Sequence, residues 1–230
     1  MPPSSPNFAC VHEHHVTVGR RARYYTLGDA GRSPRELWVV CHGYGQLAAR
    51  FLEHFAPLDD GSRLIVAPEG LSRFYLGTGV GPDEKVGASW MTRADRLAEI
   101  DDYVAYLDAV LADVGRAGGA PLHALGFSQG AATVSRWAAM GRAGPRRLTL
   151  WGGELPPDLD LAAAGDVLRG LDVTLVCGRQ DPLITPKVVD RGAARLAEHR
   201  IPHRVIWFEG GHEIDEPTLR RLAGGALGDG

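Results

Sequence analysis

The chain has 230 residues, of which 44% are hydrophobic and 23% are charged, and its formal net charge is -3. This composition is typical of one globular domain with a substantial core, and we predict a single domain over residues 1–230. The lack of a strongly basic stretch argues against a nucleic-acid-binding surface. No apolar run approaches the roughly 18 residues that a membrane-spanning helix needs.

The N-terminus and the cysteines indicate the compartment. Residues 1–8 lack the basic and apolar blocks of a signal peptide, and we predict a short flexible lead-in there. Cys10, Cys41 and Cys177 are odd in number and widely spaced, and no C-x-x-C occurs, so we expect neither a zinc site nor a redox pair. Buried free thiols are expected at Cys41 and Cys177, and a reducing, cytoplasmic setting fits best.

The first predicted elements form a hairpin. Residues 11–18 alternate imperfectly between apolar and polar side chains, and residues 23–27 read as the partner strand. His12, His14 and His15 suggest a metal site, but no carboxylate cluster accompanies them in the sequence. Solvent-facing histidines on an edge strand are therefore the favoured interpretation.

Most of the remaining chain alternates between apolar strands and amphipathic helices. Strands are predicted over 36–41, 63–68, 122–127, 147–152, 172–178 and 203–208. Helices are predicted over 47–55, 95–114, part of 156–170, 185–200 and 213–222, with another directly after the strand at 122–127. This alternation predicts an α/β fold with a mostly parallel central sheet, helices on both faces and no separate lid domain. Residues 69–94, rich in Gly, Pro and Ser, are too long for a plain connection and are predicted to form a functional surface loop.

The segment 126–130 (G-F-S-Q-G) lies where a predicted strand turns sharply into a helix, with Ser128 at the apex. A strained turn of this kind holds the hydroxyl clear of the sheet, and side chains at the two flanking positions would collide with neighbouring backbone. A glycine-flanked serine that merely caps a helix is the alternative. The partners of Ser128 elsewhere in the chain decide between the two.

Polar residues that suit a serine nucleophile follow other predicted strands. Asp181 and His212 come after Ser128 in the order Ser, Asp, His, and each falls beyond the carboxyl end of a strand. His212 is the expected base that takes the serine proton, and Asp181 would orient its imidazole. The backbone N–H groups of Gln129 and Tyr44 are the expected donors of an oxyanion hole.

Three alternatives stay open from the residues alone. Asp181 could open an ordinary turn, and His212 could be a helix N-terminal residue. His42, which follows the strand at 36–41, is a competing candidate for the general base, although shaping its own loop by hydrogen bonding is the favoured role.

Segments 41–45, 89–91, 126–131, 178–184 and 210–214 together resemble the α/β-hydrolase superfamily, and within it the phospholipase/carboxylesterase family that includes acyl-protein thioesterases. The resemblance covers roughly residues 36–222. It departs at Gln46, where that family usually has aspartate, and at Met91, where it usually has an aromatic residue. These departures concern the substrate rather than the catalytic residues.

The resemblance implies hydrolysis of short- to medium-chain acyl esters or thioesters, without a cofactor or metal. Trp90, Met91, Tyr75 and Leu76, near Phe74, are the implied substrate-pocket residues, although Trp90 could equally be a plain loop anchor. A lysophospholipase or thioesterase acting on long acyl chains and an inactive hydrolase fold used for binding are the alternatives. The expected partner is a small acyl ester, and the oligomeric state stays open, with a homodimer as one alternative.

Overall fold

A mostly parallel seven-stranded sheet forms the centre of the protein, which we describe from a computed structural model. The structure describes residues 12–29, 33–79, 81–115 and 119–224, so the predicted lead-in over residues 1–8 and Cys10 lie outside the described residues. The strands are β1 (Tyr24–Leu27), β2 (Glu36–Cys41), β3 (Arg63–Pro68), β4 (Ser72–Tyr75), β5 (Val86–Ser89), β6 (Leu122–Phe127), β7 (Arg147–Trp151), β8 (Asp172–Gly178) and β9 (His203–Phe208).

The order of strands in the main sheet is β1-β3-β2-β6-β7-β8-β9. The last six strands of this order are parallel, and β1 pairs antiparallel with β3 at one edge. The predicted mostly parallel sheet is therefore confirmed, and the parallel arrangement brings the carboxyl ends of these six strands to the same edge.

Helices cover both faces of the sheet. They are α1 (Ala48–Leu52), continued by a 3-10 helix (Glu53–Leu58), α2 (Arg96–Val114), α3 (Gln129–Met140), α4 (Leu161–Arg169), α5 (Pro186–Glu198) and α6 (Glu216–Ala223). Alternate residues of β2 enter two separate cores. Val39 belongs to the core that contains residues of α2, α3, α4 and α5, whereas Val40 belongs to the core that contains residues of α1 and α6. A strand that is buried on both faces in this way requires the continuous apolar run that predicted it.

The segment 12–18 is not a strand, and the predicted hairpin with β1 is wrong. This segment is irregular and exposed, with Val16 84% and Val18 72% accessible. β1 itself is present, but it pairs with β3 through contacts such as Thr26 with Val66. Pairing with a sheet already covered by helices buries β1 better than a two-stranded hairpin in water would.

Residues 69–94 contain a hairpin that the sequence analysis did not predict. β4 and β5 pair antiparallel, with Ser72 opposite Ser89 and Tyr75 opposite Val86, as a separate two-stranded sheet. Within the described ranges no separate lid domain lies outside this α/β arrangement. None of the described helices combines the length and apolar character that crossing a membrane requires.

Candidate active site

Four polar residues from the sequence analysis lie beyond the carboxyl ends of strands in the main sheet. Ser128 follows β6, His42 follows β2, Asp181 follows β8 and His212 follows β9. Because these strands belong to one run of parallel neighbours, their ends face the same crevice. The fold therefore collects the predicted site residues on one edge of the sheet.

Ser128 occupies a strained turn between β6 and α3. Its φ of 53° and ψ of -117° are rare for a residue with a side chain, and its N–H donates to the Trp151 carbonyl at 2.9 Å. A Cβ at Gly126 would lie 2.1 Å from the Gly130 carbonyl oxygen, and a Cβ at Gly130 would lie 2.1 Å from the Cys41 carbonyl oxygen. Both flanking positions therefore admit only glycine, as predicted.

Asp181 and His212 are joined by a hydrogen bond of 2.7 Å between Asp181 Oδ2 and His212 Nδ1. Asp181 is 6% exposed, and its other carboxylate oxygen accepts the N–H groups of Leu183 and Ile184, each at 2.8 Å. These contacts engage both oxygens of the buried carboxylate, as a buried charge requires. The imidazole is thereby held in one orientation with Nε2 left for another partner.

The His212 ring lies directly beside the serine turn. Its centroid is 4.8 Å from that of Phe127, the residue before Ser128, and its edge lies 3.4 Å from where a Cβ of Gly152 would be. Among the described residues the Ser128 hydroxyl makes no hydrogen bond. Hydrogen bonds between catalytic groups are often loose in a free enzyme and tighten with substrate, so a loose contact here is compatible with a nucleophile.

The loop between β2 and α1 carries the predicted oxyanion donor. The Gly43 N–H donates to the side-chain oxygen of Gln46 at 2.7 Å, and the Gly45 N–H donates to the Ala88 carbonyl of β5 at 2.9 Å. Within the described part of the chain the N–H of Tyr44, between these two glycines, has no acceptor. The N–H of Gln129, the first residue of α3, is likewise unpaired there, as the helix N-terminus dictates.

His42 shapes this loop, as the favoured interpretation predicted. It is fully buried, and its Nε2 accepts the Gly70 N–H at 2.9 Å while Nδ1 lies 2.7 Å from the Gly43 carbonyl oxygen. Burial lowers the pKa of His42, so the ring stays neutral, with its proton on Nδ1. Because both ring nitrogens are already engaged, His42 is a poor candidate for the general base.

The buried cysteines are not nucleophiles. Burial raises the pKa of the Cys41 thiol far above its ordinary value, and it raises the pKa of Cys177 to about 11. Both are free thiols, as predicted. A thiol that stays protonated at neutral pH lacks the thiolate that nucleophilic attack requires.

Sequence reasoning did not identify the role of the Gln129 side chain. Its amide oxygen accepts the Trp90 N–H at 3.1 Å, and its Nε2 donates to the Met91 carbonyl at 2.8 Å and to the Ser89 hydroxyl at 3.2 Å. The residue after Ser128 therefore fixes the segment 89–91 to the start of α3. The only indication in the sequence was that Gln129 and Trp90 both belong to motifs that the resemblance rests on.

Trp90 is a buried anchor. It is 2% exposed, its indole N–H donates to the His42 carbonyl at 2.9 Å, and its ring packs against His42 and Tyr103. This burial favours the anchoring alternative over a pocket-lining role. Met91 is partly buried, and its sulfur lies 3.5 Å from Arg136 Nη1.

The other predicted pocket residues lie on the hairpin. Tyr75 and Leu76 are 45% and 48% exposed, and Leu76 lies against Gly45. The Tyr44 side chain is 60% exposed and its ring is 5.1 Å from that of Phe74. An apolar rim of Tyr44, Phe74 and Leu76, which we call the hairpin rim, therefore borders the loop that carries the Tyr44 N–H.

The N-terminal histidines are exposed, as predicted, but one of them has carboxylate neighbours that the sequence analysis did not expect. His15 Nε2 lies 2.9 Å from Asp95 and 3.5 Å from Glu13. These three side chains bring potential metal-ligand atoms within 4.8 Å of one another, all of them on the surface. Surface ion pairs of this kind form without a metal, and Asp95 comes from a distant segment that spacing alone could not reveal.

No family model and no curated protein matches the chain. The chain is, however, similar to several solved structures. Acyl-protein thioesterase 2 from Zea mays is 14% identical with a TM-score of 0.66, and the match covers 90% of this chain and 98% of that one. A carboxylesterase from Mesorhizobium loti is 22% identical with a TM-score of 0.63, and the match covers 90% of this chain and 95% of that one. The Bacillus cereus carboxylesterase is 13% identical with a TM-score of 0.64, covering 88% and 92%. The chain therefore has the α/β-hydrolase fold, as the motifs predicted.

Proposed function

We propose that the protein is a serine hydrolase that cleaves carboxylic esters or thioesters of short to medium acyl chains. The observation that carries this proposal is the 2.7 Å contact between Asp181 and His212, beside the strained turn that presents Ser128. The esterases and the thioesterase that share the fold support the same reaction class. The expected partner is a small acyl ester, and a cytoplasmic setting stays a prediction.

In the first half of the reaction, the Ser128 hydroxyl attacks the substrate carbonyl carbon and His212 Nε2 takes its proton. Asp181 stabilises the imidazolium that forms, since its carboxylate accepts from Nδ1. The carbonyl oxygen becomes an oxyanion that the N–H groups of Tyr44 and Gln129 bind, aided by the N-terminal end of α3. The bond to the leaving group then breaks, and the imidazolium returns its proton to the departing alcohol or thiol.

In the second half, water replaces the leaving group. His212 takes a proton from water as the oxygen attacks the acyl carbon, and the same two N–H groups bind the second oxyanion. The Ser128–acyl bond breaks, His212 gives the proton back to Ser128, and the carboxylic acid departs. The strained turn at Ser128 and the unpaired N–H groups of Tyr44 and Gln129 exist without substrate. Reorganisation of the site therefore adds little to the free-energy barrier of the reaction.

Hydrolysis of p-nitrophenyl acetate and butyrate by the wild type and by Ser128→Ala tests this function. We expect a loss of about 10⁴-fold or more in kcat for the variant, since the nucleophile is gone. Equal turnover by both proteins would contradict the proposal. Equal folding of the two, checked by circular dichroism, makes the comparison valid.

A second candidate is hydrolysis of long acyl chains, as in a lysophospholipase or acyl-protein thioesterase. The apolar hairpin rim favours it, because Tyr44, Phe74 and Leu76 offer surface to an aliphatic chain. A series of p-nitrophenyl esters from two to sixteen carbons distinguishes the two, since a rate maximum at the long end supports the second candidate. An inactive fold used for binding would fail to react with a fluorophosphonate at Ser128.

A further inference from the structure

Glu69 is a buried carboxylate that has no part in the proposed reaction. It follows β3 at the carboxyl edge of the sheet and is 2% exposed. Its Oε1 accepts from Arg23 Nε at 2.6 Å and from Arg73 Nη1 at 3.1 Å. Burial alone would raise the pKa of Glu69, but these two guanidinium groups outweigh burial and hold it below the ordinary value. Glu69 is therefore charged at neutral pH.

The peptide of residues 69–70 contacts both ends of the loop that carries the Tyr44 N–H. At one end, Glu69 Oε2 accepts the N–H of Ala48, the first residue of α1, at 3.3 Å. At the other end, the Gly70 N–H donates to His42 Nε2, and the His42 ring in turn contacts the Gly43 carbonyl. Residues 69 and 70 thus contact both residues that flank the loop, His42 before it and Ala48 after it.

We propose that Glu69 is a positioning residue that fixes the oxyanion loop, residues 43–47, through Ala48. This role rests on the proposed function. A backbone donor stabilises a transition state only when its N–H is already aimed at the developing charge. Loss of the Glu69 contact would release the end of the loop at Ala48, although His42, Gln46 and the hairpin would still hold the rest. The Tyr44 N–H would then sample other directions.

The ion pairs of Glu69 make its replacement feasible. The side chains of Arg23 and Arg73 are 47% and 38% exposed, so water can solvate both guanidinium groups once the carboxylate is gone. Loss of Glu69 leaves no fully buried unpaired charge on these partners. We therefore expect Glu69→Ala to fold.

The experiment compares Glu69→Ala, Glu69→Gln and the control Glu53→Ala by steady-state hydrolysis of p-nitrophenyl butyrate. Glu53 is an exposed glutamate at the start of the 3-10 helix after α1 and pairs with Arg50, so its loss removes the same charge near the same helix. Each kcat is divided by the fraction of protein molecules that carry a fluorophosphonate on Ser128 once labelling is complete. This correction removes the contribution of unfolded protein.

For Glu69→Ala we expect kcat to fall about tenfold or more with KM within about twofold, because a transition-state contact weakens while ground-state binding does not. In Glu69→Gln the one amide oxygen faces the two guanidinium groups, which turns the NH₂ group toward the Ala48 N–H, so kcat should fall in this variant as well. Glu53→Ala should match the wild type.

Two results overturn the role of Glu69. One is a Glu69→Ala protein with the kcat of the wild type, and the other is a Glu69→Gln protein with the kcat of the wild type. Should Glu69→Ala fail to fold, Glu69→Gln decides alone, and a kcat equal to that of the wild type overturns the role. A wild type that neither turns over the ester nor reacts with the fluorophosphonate overturns the proposed function as well.

Discussion

Asp181 faces His212 with one carboxylate oxygen, at 2.7 Å from Nδ1, and faces two backbone N–H groups with the other. This division fixes the carboxylate as an acceptor toward the ring, so the neutral imidazole carries its proton on Nδ1. Nε2 then has a free lone pair. In the proposed mechanism this pair prepares His212 as a base before any substrate is bound.

Asp181→Asn should remove this preparation with little change in shape. Rotation of the new amide must leave either the ring or the Leu183 and Ile184 N–H groups facing an NH₂ group, which favours the wrong tautomer of His212. We expect kcat for p-nitrophenyl butyrate to fall about 10³- to 10⁴-fold at pH 7. The exposed Asp190→Asn on α5 serves as the control and should keep wild-type turnover. A loss below tenfold for Asp181→Asn would contradict the role given to this carboxylate.

Gln129→Ala should loosen the segment 89–91 while keeping the backbone N–H of residue 129. The buried Trp90 N–H and the Met91 carbonyl lose their partners, and an unpaired buried group costs about 1 to 3 kcal/mol. We expect a lower free energy of unfolding by that amount, measured in urea. Gln129→Glu keeps the acceptor for Trp90 and should fall between the two proteins. A Gln129→Ala protein as stable as the wild type would show that this clamp contributes nothing.

Leu76 on the hairpin rim should affect acyl-chain preference. Leu76→Ser removes apolar surface beside the oxyanion loop, and each buried CH₂ group contributes about 0.8 kcal/mol. We expect kcat/KM to fall about fivefold or more for the octanoate ester and to change little for the acetate ester. An equal loss for both esters would indicate a structural effect rather than one on specificity.

Trp90→Phe should give the opposite pattern. The substitution deletes the hydrogen bond from the buried indole to the His42 carbonyl, so stability should fall by about 1 to 2 kcal/mol. The relative rates across the ester series should keep the shape seen for the wild type. A change in the acyl-chain length of maximal rate would instead support a role of Trp90 in lining the substrate pocket.

His123 should make folding stability depend on pH. It is 4% exposed, its ring lies 4.9 Å from that of Trp38, and burial lowers its pKa to about 4, with Glu36 opposing the shift. In the unfolded chain the pKa is about 6.5. Between these two values the unfolded state binds a proton that the folded state excludes. The contribution of His123 to the free energy of unfolding is therefore fully present above pH 6.5. It declines by about 1 to 3 kcal/mol as the pH falls toward 4.

Urea unfolding at pH 7.5 and pH 4.5 measures this decline. His123→Gln should lose stability at both pH values but show a smaller difference between them than the wild type. His54→Gln removes a histidine from the surface and controls for composition. An unchanged pH difference in His123→Gln would contradict this account of the buried ring.

The sequence predicted the elements that burial on two faces determines. β2 and β3 have the predicted bounds, because a parallel strand between two helical layers must be apolar throughout. It failed at 12–18, where alternation predicted a strand that has no sheet to join. The sequence also did not predict the β4–β5 hairpin, whose strands are partly polar and whose Ala88 forms two backbone hydrogen bonds with the distant loop 43–47.

The candidate site divides in the same way. The placement of Ser128, Asp181 and His212 at one edge of the sheet could be predicted, because each follows the carboxyl end of a strand, whereas their catalytic roles stay a prediction. Glu69 could not, since its partners Arg23, Ala48 and Arg73 come from separate elements and form no motif. Positioning residues depend on tertiary contacts, and nothing in local spacing records them.

The most direct test of the central claim is the mass of the intact protein after reaction with a fluorophosphonate, followed by peptide mapping. We expect one adduct on the peptide that contains Ser128 in the wild type, and none in Ser128→Ala or after heat unfolding. Reaction at another residue, or ester hydrolysis without any adduct on Ser128, would contradict the account.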